Sequence, residues 1–596
     1  MFRQLVVTSK EEEDVLFRNL RPEGGTPPAG RARRRALIAG LSLLALATPA
    51  LATATTSAAS HPSALSLAMT LGTATHATWW APISSSSNCL TVTGGVGEGL
   101  NYYMPLIWIG NGGTVDLKDS IASSIQASNG DRTFTVHLGK QWKWSNGQPV
   151  TAEDVVFDAK LLEAASQPKS PLPYCFAGTG GMPSDWQSVT AVNQSTVEIT
   201  LKTPADVQWF ELDGLAQLVP LPSQWDKYPT NMAKELAWVN QVAVQPTNPI
   251  YQIVDGPYAI EKIANNQYYY FKANAAYSGP NKPTIQTLIY DYEPSDTSQF
   301  AAFRTGQIQL GTLPPEFWSA RAQLKGYSLQ VAPVWAFDFM VLNFTNKTPG
   351  VGPLFNQLYV RQAMQYGIDQ PGIASAIFHN AAYPTLNPVP TSSSLYDKGL
   401  KNPYPYDPAK GEALLKAHGW KMVDGVMTKG GKKLTFTFAY ATGSLASTEE
   451  VEAIQAGWAK EGIDAVLRPM GANSFDTMFG NPAAFDKWSV ALGLWIYAPD
   501  FFPDGTFMFP PGAGFNLGDY NNPTMTKLVD ETIAPGTPAQ TQARFDAYER
   551  FATTQLPVLY VPTEENLNLV ANDIGGWYPN YNVIVAQPLV NDLYWK

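Results

Sequence analysis

The residues able to do chemistry are scattered along this chain, and none falls into the spacing of a catalytic device. Its five histidines, His61, His76, His137, His379 and His418, stand singly, with no H-E-x-x-H pattern and no Cys/His group, so no metal site is legible. No serine occupies a G-x-S-x-G elbow, the turn that exposes a hydrolase nucleophile. Gly94-Gly-Val-Gly-Glu-Gly99 lacks the G-x-G-x-x-G spacing and the helix it should open, and reads as a loop, not a phosphate cradle. Asp500 and Asp504 suggest paired carboxylates, but Asp-Phe-Phe-Pro-Asp-Gly is turn sequence without a sugar-binding context. Cys89 and Cys175 are the two cysteines; in an oxidising compartment they form a disulfide or stay as two buried thiols. The chemistry left is binding. Charged residues are only 15% of the chain while aromatics reach 12%, enough for cores and for a minority of rings lining a ligand cleft. No catalytic residue, cofactor or metal is expected.

The elements that would position such a cleft alternate along the chain, as in an α/β protein. Arg132-Thr-Phe-Thr-Val-His-Leu138 alternates polar with apolar residues, the pattern of a half-buried strand. Ser145-Asn-Gly147 is turn material, Pro149 extends the chain, and Thr151 with Asp154 three residues on predicts a capped helix whose buried face is Val155, Val156, Leu161 and Leu162. Further alternating strands are predicted at 64–69 and 196–201. Trp335 precedes another, Phe337 to Phe344, and reaches either a cleft or a packed seam.

At the N-terminus, Arg31, Arg33, Arg34 and Arg35 precede the apolar run Ala36 to Ala47, and Ala50-Leu-Ala52 is a small-residue cleavage site, together an export signal. The 30 residues before it are long and acidic for such a signal, which fits either twin-arginine export around Arg34-Arg35 or a start codon placed too early. Cleavage after Ala52 removes eight basic and five acidic residues and takes the net charge from −10 to −13, which argues against a nucleic-acid partner. No later apolar run is long enough to cross a bilayer. No cysteine directly follows the apolar run, so no lipoprotein anchor is expected and the protein is placed in a periplasm or outside the cell.

Residues 141–157, Gln-Trp-Lys-Trp-Ser-Asn-Gly-Gln-Pro-Val-Thr-Ala-Glu-Asp-Val-Val-Phe, resemble the signature of family 5 extracellular solute-binding proteins, the peptide- and nickel-binding components of ABC importers. Asp255-Gly-Pro-Tyr258, Asn274-Ala-Ala-Tyr277, Phe300 to Gln309, Tyr359 to Asp369 and Tyr406 to Trp420 follow in that family's order. The resemblance implies a two-lobed periplasmic-binding-protein type II fold with an extra subdomain in the first lobe. The expected organisation is a signal peptide at 1–52, a linker at 53–64, a first lobe at 65–283 and 556–596, and a second at 284–555. It also implies a monomer that closes two lobes over an oligopeptide or similar polar solute and delivers it to a permease and ATPase complex. The alternatives are a ligand sensor that hands its closed state to a membrane receptor, and a secreted hydrolase.

By the same resemblance, Ala491 to Asp504 is the ligand-facing strand and loop, with Trp495 and Tyr497 as wall residues or core. Peptide-binding members place an acid for the peptide ammonium where this chain has Ala498; Asp500 is the expected substitute. Asp255 is a second acid for a cationic ligand, or else a turn cap. Trp79 lies in the loop after the first strand, near ligand.

Overall fold

Two hydrogen-bonded sheets, each assembled from distant parts of the chain, organise the molecule. The computed structural model describes residues 64–69, 83–84, 90–92 and 101–596, apart from 246, 265–266, 294, 480 and 498–500. The signal segment, Trp79, Cys89, Ala498 and Asp500 lie outside the described residues.

The capped helix forms as its residues dictate. It spans Ala152–Ala165. The Asp154 carboxylate accepts from the Thr151 backbone N–H at 2.7 Å, from its hydroxyl at 3.0 Å and from the Trp144 indole at 3.2 Å. One carboxylate thereby ties the tryptophan loop to the helix start. The helix packs on a four-stranded antiparallel sheet, Ala122–Ser128, Thr133–Leu138, Thr196–Leu201 and Trp186–Asn193 in spatial order, burying Val155, Leu161 and Leu162. This is the extra subdomain.

The larger sheet has seven strands in the order Tyr258–Ala264, Tyr268–Ala273, Thr287–Tyr292, Ala64–Met69, Leu310–Thr312, Asn566–Ala571 and Tyr327–Ala332. Ala64–Met69 runs parallel to both its neighbours. The second sheet has five, Asp464–Met470, Thr435–Ala441, Val490–Ile496, Ala336–Leu342 and Leu559–Tyr560. The chain crosses between them twice, from 332 to 336 and from 560 to 566. Residues 287–332, placed by the sequence at the start of the second lobe, hydrogen-bond into the first sheet. Alternation identifies a strand, but the sheet it joins is decided by tertiary pairing.

The second sheet is covered by helices whose motif residues are structural. Arg361 donates from Nε and Nη2 to the Gln555 carbonyl at 3.1 and 2.8 Å and from Nη1 to Phe355 at 2.6 Å. Asp369 caps helix Gln370–Ala376, and Asp407 caps Pro408–Ala417. Glu461, directly after helix Leu445–Lys460, has neither carboxyl oxygen hydrogen-bonded. It sits fully buried against Gly367 and Gly411, where a side chain would collide with it.

Cys175 is disulfide-bonded. The segment just after Cys89 lies beside it: Leu90 bridges Tyr174 in parallel, and the Cys175 N–H donates to the Leu90 carbonyl at 2.9 Å.

Candidate functional site

The two crossovers bring the predicted aromatic residues to one place. Trp335 ends the outward crossover, and the Tyr497 N–H, one residue past strand Val490–Ile496, donates to its carbonyl at 3.0 Å. The Trp335 indole is 2% exposed. Its Nε1 donates to Phe501 at 3.0 Å, and its ring lies against Gly113, where an added Cβ would approach to 3.4 Å. Gly113 holds φ +73° in the tight turn between Trp108–Gly110 and Thr114–Asp116, a conformation and a closeness that both favour glycine. Trp335 is thus a packed seam residue. Tyr497 is also buried, its hydroxyl donating to Pro388 at 3.0 Å and its ring stacked on Phe337. Trp495 is half-buried, edge-on to Tyr497 and close to Phe507 and Phe515, and its Nε1 has no hydrogen-bond partner.

Segments from the two sheets meet along this seam. Asp213 Oδ1 accepts from the Phe502 N–H at 2.8 Å. Asp206 accepts from the Thr541 hydroxyl at 2.7 Å, and its own N–H donates to Ile533 at 2.9 Å. The Ser394 hydroxyl donates to Gly112 at 3.2 Å. Near these contacts burial, reinforced by Asp206, pushes the Glu211 carboxyl up to about 7.

Asp255 is not at the seam. It is fully buried in the core of the first sheet's half, its Oδ1 accepting from the Met104 N–H at 3.0 Å. Desolvation raises its carboxyl well above the ordinary range. Next to it a Cβ on Gly256 would come within 2.5 Å of the Asn101 and Tyr102 backbone. The acid anchors a loop there, a segment 151 residues away in the chain. Of the predicted residues, the structure brings together Trp335, Trp495 and Tyr497, while Trp79 and Asp500 lie outside the described residues. Asp206 and Asp213 escaped sequence reasoning because a loop acid looks the same whether it bridges two sheets or faces water. Among the described residues no group of three His, Cys, Asp or Glu side chains is placed to hold a metal ion.

The sequence pattern of the bacterial extracellular solute-binding proteins, family 5, matches residues 116–517. The chain belongs to that family. It is 26% identical over 479 residues to a putative ABC transporter peptide-binding protein of Brucella abortus, covering 79% of this chain and 83% of the relative. It is 27% identical over 467 residues to the nickel-binding periplasmic protein of Escherichia coli, covering 74% and 80%. Its fold superposes on the oligopeptide-binding protein AppA of Bacillus subtilis, solved with a nonapeptide, with a TM-score of 0.70 at 19% identity over 89% of this chain and 99% of that one. Two sheets joined by two crossovers, with a smaller antiparallel sheet beside the first, are therefore the two-lobed solute-binding architecture of family 5. No described helix is long and apolar enough to cross a membrane.

Proposed function

We propose that this solute-binding protein captures an oligopeptide or a polar organic solute of similar size outside the cytoplasm and delivers it, enclosed, to the permease and ATPase of an ABC importer. The supporting observation is the aromatic group Trp335, Trp495 and Tyr497 at the crossover, with hydrogen bonds running between the two halves on either side of it. The proposed first lobe is 64–332 with 566–596, and the second is 336–560. Closure stores nothing by itself: a ligand favours it only by binding the closed form better than the open one. The contacts of Asp213, Asp206 and Ser394 bring the closed form near in energy, and contacts to solute complete the shift. Trp495 carries the half-buried face that a solute would meet.

Trp495→Ala is the test. Titration of the protein with its co-purified solute should give about tenfold or more weaker binding, while the unliganded melting temperature moves little, because the ring is only partly packed. A large fall in that melting temperature with unchanged affinity would make Trp495 a core residue and remove it from the site.

The bridge at Cys175 is proposed to join Cys89, the only other cysteine in the chain. Thiol titration of the denatured, unreduced protein should find no free thiol, and reduction should expose two. Two titratable thiols before reduction would contradict the pairing.

A further inference from the structure

A small sheet on the second half gathers positive charge in a chain whose net charge is −10. Residues 421–433 hold Lys421, Lys429, Lys432 and Lys433 and a single acid, Asp424. They form three antiparallel strands, Lys421–Val423, Val426–Lys429 and Lys432–Lys433 in spatial order, after helix Pro408–Ala417. Met427 and Leu434 fix this sheet to the body of the protein. Both are fully buried; the Met427 N–H donates to the Gly462 carbonyl and the Leu434 N–H to the Met427 carbonyl, each at 2.7 Å. Lys421 and Lys433 flank Thr428 in one cross-strand row, and Lys429 faces Lys432 in the next. Paired strands lie about 5 Å apart and successive residues rise about 3.4 Å, so the four lysines share one end of the sheet. Asp424 is in the turn at the other end, beyond the pair Val423 and Val426. All four lysines are exposed, and none forms an ion pair among the described residues.

We propose that this lysine end of the sheet docks the protein, reversibly, on a membrane surface of anionic lipid headgroups. The inference goes beyond the solute-binding reading and does not depend on the solute. Like charges directly opposite on a sheet repel and destabilise it; a layer of anions outside the protein relieves that repulsion for Lys429 against Lys432. The composition of the patch favours lipid over a protein partner. It contains no arginine, whose planar fork suits bidentate pairing with a fixed carboxylate, whereas flexible, hydrated lysine ammoniums suit a diffuse plane of phosphates. The outer strand adds exposed apolar side chains, Met422 at 38% and Val423 at 44%, which a headgroup layer can cover. The acidity of the whole chain does not cancel the attraction. At physiological salt charges are screened beyond about 8 Å, so the lysines meet the surface while most of the acids lie out of range, and the molecule approaches with this sheet first. Each lysine held near such a surface strengthens binding about fivefold, which makes the attachment weak enough to release.

The test is co-sedimentation of the purified protein with vesicles of phosphatidylcholine alone and of phosphatidylcholine with about a third phosphatidylglycerol, at about 50 and 300 mM salt. The wild type should bind the anionic vesicles at least about tenfold more tightly than the neutral ones at low salt, and lose most of that preference at high salt. Replacing all four lysines by glutamine should abolish the preference. Lys432→Gln with Lys433→Gln should lower it about tenfold or more, and this pair carries the test if the fourfold variant fails to fold. The same change at Lys118 and Lys527, which are ion-paired elsewhere on the surface, should leave the preference within about twofold of wild type. Equal binding to both vesicles, binding to neither, or a fourfold variant that keeps the preference would overturn the inference. So would crosslinking of these lysines to the permease in cells when the purified protein ignores the vesicles, which would give the patch an acidic protein partner instead. None of these results touches the solute-binding reading, which is decided by solute titration of the same preparations.

Discussion

Asp213→Ala is expected to weaken solute binding about tenfold to a hundredfold without touching the solute. Asp213 is buried in the first half and accepts the Phe502 N–H from the second at 2.8 Å. A hydrogen bond contributes about 0.5–1.5 kcal/mol net, and removing one partner of a buried pair strands the other at a cost of about 1–3 kcal/mol. If the lobes separate in the open form, that whole contribution belongs to the closed one. The substitution then shifts the population towards open, and apparent affinity falls in proportion to the fraction able to bind. Small-angle scattering without ligand should show a larger radius of gyration than wild type, and calorimetry should show the affinity loss with an unchanged stoichiometry of one. Wild-type affinity and an unchanged radius would mean that the contact persists in the open form, and that closure is controlled elsewhere.

Glu461→Gln is expected to raise stability at neutral and alkaline pH and to flatten its pH dependence. Burial, then the charges of Asp407 and Glu412, pushes the Glu461 carboxyl from its ordinary 4.5 up to about 10. The folded protein therefore keeps a proton that the unfolded chain gives up above pH 4.5. Between about pH 4.5 and 10 folding is coupled to proton uptake, so this group's contribution falls as pH rises, by about 1.4 kcal/mol per unit. At pH 7.5 the accumulated cost is on the order of 4 kcal/mol, an upper value for one site. Glutamine keeps the shape beside Gly367 and Gly411 and cannot titrate. Thermal melts should converge near pH 4.5 and diverge with the variant higher at pH 8. Parallel melting curves from pH 4.5 to 8 would show that Glu461 titrates normally.

Much of the scaffold is legible in the residues because its causes are local. The strand at 133–138, the capped helix at 152–165 and the caps at Asp369 and Asp407 each depend on side chains within a few positions of one another. Arg361 reads as structural, and its guanidinium binds only backbone carbonyls of Phe355 and Gln555 in the hydrogen bonds it makes. Sheet membership is another matter: residues 287–332 have good strand and helix patterns that fit either lobe, and only pairing with Ala64–Met69 and Asn566–Ala571 assigns them. Asp255 is ambiguous in the same way, since its turn motif says nothing of the Met104 N–H it meets in the core.

The central claim is that the two halves enclose an unmodified solute, and native mass spectrometry of the purified protein tests it most directly. The expected result is a noncovalent adduct of one small solute per chain that is released at its original mass on denaturation and is lost or depleted in Asp213→Ala. A protein that carries no solute and binds no peptide, or one that releases a chemically altered product, would contradict it.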